Sequence, residues 1–151
     1  MDIFGVHITQ NAQDSAKLGE NVAAYLVRQP AGEAPHVICL YGELGSGKTT
    51  FVQGFARGLG ITSRLLSPTF IIVRRYEPPR RFSFLYHLDL YRLASKSDTE
   101  GLGLPEIFAD QSSLVLIEWA EKLGDLLPEK RIDIHFDTMD NGDHRIKVDK
   151  I

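Results

Sequence analysis

The chain has 151 residues, 43% of them hydrophobic and 25% charged, the composition and size of one globular domain with a single core. Its formal net charge of −3 excludes a broad electrostatic grip on nucleic acid and leaves room only for a local basic patch. The single cysteine, Cys39, excludes an internal disulfide, no basic-then-apolar leader opens the chain, and no run approaches the roughly 18 apolar residues of a membrane span, so the expectation is a soluble cytoplasmic protein.

Residues 11–28 place Ala16, Leu18, Val22, Ala23, Leu26 and Val27 on one stripe, which predicts an amphipathic helix capped by Asn11 or Asp14. Two prolines and a glycine make 29–35 a loop, and His36 to Tyr41 is an apolar run of the kind that forms a buried strand. A glycine-rich stretch follows, then a helix closed by Gly58 or Gly60. Phe70 to Tyr76 and Arg81 to Leu90 read as the two strands of a hairpin joined at Glu77–Arg80. Ser95 to Gly103 is polar, the start of a helix or a lid-like loop, and Gly103 to Phe108 leads on to Asp110. Ser113 to Ile117 is a second buried strand, and Arg131–Phe136 and Arg145–Val148 flank an Asn141-Gly142 turn as a final hairpin. The sum is an α/β domain: a central sheet with parallel strands, flanked by helices and trimmed with antiparallel hairpins. Strand order is not legible at this level.

Gly42 to Thr49 matches G-x-x-x-x-G-K-[ST] between a strand and a helix, the setting that a phosphate-binding loop requires. Glycines let successive backbone N–H groups turn toward phosphate oxygens, and the following helix adds its positive end. The loop residues Glu43, Leu44, Gly45, Ser46, Gly47, Lys48, Thr49 and Thr50 are therefore the expected nucleotide contacts. Lys48, expected at the loop surface, reaches the β- and γ-phosphates, and the Thr49 hydroxyl ligates Mg²⁺. The bland alternative, a glycine-rich turn with a chance lysine, fits the strand–loop–helix context poorly.

Such a site needs a carboxylate beside the metal. Asp89 and Glu118 each stand where an apolar strand gives way to polar chain, the edge at which α/β sheets bind ligands. A surface acid after a strand is the plain alternative for either. No Asn-Lys-x-Asp sequence is present to read guanine, which favours ATP.

The combination of GELGSGKTT (Gly42–Thr50), SPTF (Ser67–Phe70), HLDLYR (His87–Arg92) and IEW (Ile117–Trp119) resembles the TsaE family, small bacterial ATPases required to make threonylcarbamoyladenosine in tRNA. The resemblance spans nearly the whole chain. It implies a P-loop NTPase-like single domain that binds ATP and Mg²⁺, with Lys48 and Asp89 catalytic and Thr49 and Glu118 at the metal. Ser67, Pro68 and Thr69 would be a switch-like segment responding to the γ-phosphate. Glu43 stands where the family often has Asp, and Ser46 where it often has Ala; neither side chain is needed for the backbone cradle. The implied partners are the TsaD catalytic subunit and its paralogue TsaB, with tRNA met indirectly or through a local patch.

The remaining candidates carry plainer readings. His87 on an apolar strand reads as a satisfied core histidine, and Trp119 as core. Arg74, Arg75, Arg80 and Arg81 read as a solvated hairpin, or else as a patch for tRNA or an acidic protein surface. The competing function is a small-molecule P-loop kinase, against which the only lid-like stretch, Ser95–Gly103, has no arginine.

Overall fold

The computed structural model describes residues 2–43, 45–63, 65 and 73–151. Within them, seven strands form one sheet in the order β1-β7-β6-β2-β5-β4-β3. The strands are β1 (Gly5–Thr9), β2 (Val37–Tyr41), β3 (Val73–Tyr76), β4 (Leu85–Asp89), β5 (Leu114–Glu118), β6 (Ile132–Thr138) and β7 (His144–Lys150). The helices are α1 (Ala12–Arg28), α2 (Lys48–Gly58) and α3 (Leu104–Ala109).

The centre is parallel and the flanks are antiparallel. β2 runs parallel to both β5 and β6, and β4 runs parallel to β5. The two hairpins β3–β4 and β6–β7, with β1 on β7, make the antiparallel margins. Val37, Ile38, Cys39 and Leu40 are fully buried, as expected for a strand covered on both faces. The period-2 alternation of strand side chains sorts them into two cores. Ile38, Leu40, Leu116, Ile134 and Val148 pack beneath α1 and α2. Val37, Cys39, Val115 and Ile117 pack beneath α3 and the turn after β5.

α1 and α2 lie unusually close. A methyl on Gly54 would stand 1.9 Å from the Ala16 carbonyl oxygen, and one on Gly19 would stand 2.2 Å from that of Phe51. Ala16 meets Gly54, and Ala23 meets Gly58 farther along both helices, so the two helices run side by side in the same direction. α1 is thereby fixed beside α2. Asn11 caps α1 by accepting the Asp14 N–H at 2.9 Å.

Some expectations need correction. Arg81–Leu90 is not one strand: Arg81 takes a left-handed φ of 72°, the Phe82 N–H bonds back to the Arg80 carbonyl, and pairing begins only at Leu85. Of the two readings of Ser95–Gly103, the helix start is the one seen. It begins with a short 3₁₀ turn, Lys96–Thr99, closed by a Ser95–Asp98 capping box and anchored by a Lys96–Asp125 ion pair. Residues 104–109 form a helix where only a connection was anticipated, and β1 was not anticipated at all. Of Phe70–Tyr76, the described part, Val73–Tyr76, is a strand as expected.

Candidate functional site

Register does most of the assembly. In the parallel pairings Leu40 lies beside Glu118, and Glu118 beside Asp89, so both carboxylates stand at the sheet edge where β2 runs into the glycine loop. This is the carboxyl end of the parallel strands, where such sheets bind ligands. A cleft of about 680 Å³ opens there. Gly45, Gly47, Lys48, Thr49 and Thr50 line it, facing His87, Asp89 and Glu118.

The loop is shaped by glycine where nothing else fits. A Cβ on Gly42 would lie 2.7 Å from the Phe136 carbonyl oxygen and 2.9 Å from Ser46 Oγ, and Gly47, at φ 99°, precedes α2 in the left-handed region. The loop carries no side-chain cap on α2, so the helix's first N–H groups are not satisfied by one. Ser46 is buried, and its Oγ has no hydrogen-bond partner among the described residues. Glu43 is exposed; neither it nor Ser46 lines the cleft. Leu44 and Ser67, Pro68 and Thr69 lie outside the described residues.

Lys48 departs from expectation: it is buried, with 5% exposure. Its ammonium donates to the Gly42 carbonyl and sits 4.3 Å from the centroid of the Trp119 ring. A buried cation must be paired, and a carbonyl plus an aromatic face is a weak pair compared with an anion. Trp119 is itself held at φ 60° and ψ 42°, a left-handed conformation that costs a non-glycine residue about 1–2 kcal/mol. That turn ends β5 abruptly and lays the indole against Tyr91, their centroids 5.1 Å apart. Trp119 is thus a wall of the cleft and not only core.

His87 is buried as the strand pattern required, at 1% exposure, but its contact is specific. Its Nε2 lies 2.7 Å from Glu118 Oε2. An ionised carboxylate can only accept, so Nε2 donates in this pair; Nδ1 is buried and has no partner among the described residues. The imidazole orients Glu118 as a histidine–carboxylate pair orients ligands in metal sites. Asp89 Oδ1 accepts the Tyr91 N–H at 3.0 Å, which fixes the loop after β4.

Among the described residues, no three His, Cys, Asp or Glu side chains could hold a metal together. An ion that keeps several waters, as Mg²⁺ does, needs only one or two carboxylates and a hydroxyl from the protein. Thr49, Glu118 and Asp89 line one cleft and are the side chains that could offer such oxygens. Sequence reading missed the opposite wall, made by Gln10, Asn11, Ser15, Gly142 and His144. Only the order of β1, β7 and β6 brings them there.

Two of the four hairpin arginines are engaged, while Arg74 Nε is buried without a hydrogen-bond partner among the described residues. Arg75 stacks over Phe84 at 4.3 Å, and Arg81 stacks over Phe82 at 4.7 Å while donating to the Gln29 carbonyl. No helix among the described residues is long and apolar enough to cross a membrane.

The family model described as threonylcarbamoyl adenosine biosynthesis protein TsaE matches residues 9–146. The tRNA threonylcarbamoyladenosine biosynthesis protein TsaE of Bacillus subtilis is 40% identical over 126 residues, covering 83% of this chain and 73% of its own. Its Treponema pallidum counterpart is 37% identical over 141 residues, covering 93% and 97%. The crystal structure of Bacillus subtilis YdiB superposes with a TM-score of 0.72 and 33% identity, over 93% of this chain and 81% of that one. With a family model across most of its length and relatives of this identity, the chain belongs to the TsaE family.

Proposed function

We propose that the protein binds ATP with Mg²⁺ at the glycine loop, hydrolyses it slowly, and serves threonylcarbamoyladenosine formation in tRNA by acting on a TsaB–TsaD complex. The observation that carries the nucleotide reading is Lys48: a buried ammonium resting on a carbonyl and an indole, in a cleft shared with two adjacent carboxylates. A phosphate chain is the anion that suits this arrangement. The relatives' names supply the tRNA reading.

The residues divide the work. Loop N–H groups and the first turn of α2 hold the phosphates, and Lys48 leaves its carbonyl to bridge them. Thr49 Oγ and Glu118, steadied by His87, hold Mg²⁺, which neutralises charge on the β- and γ-oxygens when bound. Asp89 orients a water and accepts its proton as the water's oxygen attacks the γ-phosphorus and the bond to the β-bridging oxygen breaks.

The test is titration of the full chain with ATP, ADP and GTP, with and without Mg²⁺, followed by phosphate release. Lys48→Met keeps the aliphatic stem packed and removes the charge. It should cut turnover by at least about a hundredfold while the folded fraction stays that of wild type. Turnover within about twofold of wild type would sink the assignment. Phosphate passed to a nucleoside or metabolite acceptor instead of water would favour a small-molecule kinase.

A further inference from the structure

We propose that His144 is the nucleoside wall of the cleft, its imidazole packed against the purine of the bound nucleotide. The inference rests on the nucleotide reading above and extends it to the half of the ligand that the glycine loop does not address.

The cleft has two ends. His87, Asp89 and Glu118 stand at one, so the terminal phosphate and its metal belong there. The loop and Lys48 occupy the middle. The nucleoside is then directed to the other end, bounded by Gln10, Asn11, Gly142 and His144. The sheet builds that end firmly: His144 opens β7 and pairs with Thr9 of β1 on one side and Thr138 of β6 on the other. Its ring lies over the loop itself, for a methyl on Gly47 would touch it at 3.7 Å.

Two polar side chains at this end are already engaged. Asn11 caps α1, and Ser15 bonds Thr9 at 2.8 Å. The His144 ring makes one long contact, 3.4 Å from Nδ1 to Thr138 Oγ1. Tyr91 and Trp119, the other large rings lining the cleft, stand at the carboxylate end. A flat, amphipathic imidazole is a suitable face for a purine, since stacking on an aromatic side chain tolerates any base and adds affinity without hydrogen-bond readout.

The experiment measures binding of ADP, ATP and inorganic tripolyphosphate, each with Mg²⁺, to wild type, His144→Ala and His144→Phe. His144→Ala should weaken ADP and ATP about tenfold and tripolyphosphate less than about twofold, and His144→Phe should recover most of the loss. The ratio of ADP to tripolyphosphate affinity within one variant does not depend on the folded fraction, so a destabilised variant still reports. An equal loss for tripolyphosphate would place His144 on the phosphates and overturn the proposal, as would an unchanged ADP affinity in His144→Ala. Failure of wild type to bind ADP or ATP would overturn the nucleotide reading itself, a result distinguishable because it precedes any substitution.

Discussion

Glu118 and Asp89 share a register position but not an environment, which is the ground for the separate roles proposed for them. Glu118 is held by the buried His87 ring at 2.7 Å, while Asp89 is tied to the backbone N–H of Tyr91. Glu118→Ala should therefore weaken Mg²⁺-dependent nucleotide binding, and Asp89→Ala should lower turnover more than affinity, because orienting water matters mainly in the transition state. His87→Ala should act through Glu118. It should cost roughly ten- to a hundredfold in Mg²⁺ dependence, and adding it to Glu118→Ala should cost little more. The readout is ATP affinity against Mg²⁺ concentration, followed by the fluorescence of Trp119, the sole tryptophan, whose ring lies beneath the ammonium that must move. Additive losses for His87 and Glu118, or identical profiles for Asp89 and Glu118, would remove the distinction. The glycine loop and both carboxylates were legible in the sequence because a phosphate cradle restricts residue type directly. The grip of His87 on Glu118 was not, since it depends on a cross-strand diagonal between β4 and β5. Nor was the burial of Lys48, which depends on Trp119 adopting a left-handed turn.

Two elements carry constraints that substitution and pH can test. Replacing a helical glycine with alanine ordinarily stabilises by up to about 1 kcal/mol. At Gly54 the sign reverses, because the new methyl would meet the Ala16 backbone at 1.9 Å and neither helix can yield locally. Gly54→Ala should destabilise by about 1–3 kcal/mol or more and weaken nucleotide binding with it, since α2 carries the loop. A thermal midpoint at or above wild type would show that the helices separate freely. β2 carries the second constraint. Burial raises the Cys39 thiol from its ordinary 9.0 to about 12, with the nearby Asp133 carboxylate adding to the effect. Burial likewise raises the Tyr41 phenol, whose hydroxyl donates to Asp133. Both groups fold in their protonated form, so their contribution is complete below pH 9.0 and is lost as pH rises toward 12. Stability should fall across that window, less steeply in Cys39→Ala, as followed by urea midpoints at stepped pH. A flat profile would contradict the burial of β2. That strand was easy to recognise because it is apolar throughout. β1 was not: it exposes Val6 and Ile8 and buries Thr9, a pattern imposed by its pairing with β7 and not by its own composition. Arg81–Phe84 misled in the opposite sense, alternating like a strand while the backbone turns.

At the scale of the whole molecule, the cleft is open at its rim among the described residues. Thr49, Tyr91 and Arg92 at its rim are exposed. No residue of the Ser95–Gly103 segment lines it, and that segment's first turn is held elsewhere by its capping box and the Lys96–Asp125 pair. Closure that excludes water is what ordinarily makes such sites fast. The isolated protein should therefore turn ATP over well below the roughly 10 s⁻¹ median of enzymes. A partner surface laid across the rim would supply the missing cover, as other P-loop sites are completed in trans. Linkage then requires reciprocity: if a TsaB–TsaD complex favours the ATP-bound form, ATP must tighten binding of that complex by the same factor. Titration of the labelled complex against this protein, with ATP, with ADP and without nucleotide, measures that factor directly. It should exceed about fivefold between ATP and no nucleotide, the low end of usual coupling energies. Equal affinity in all three conditions would refute nucleotide-gated assembly and favour the stand-alone kinase.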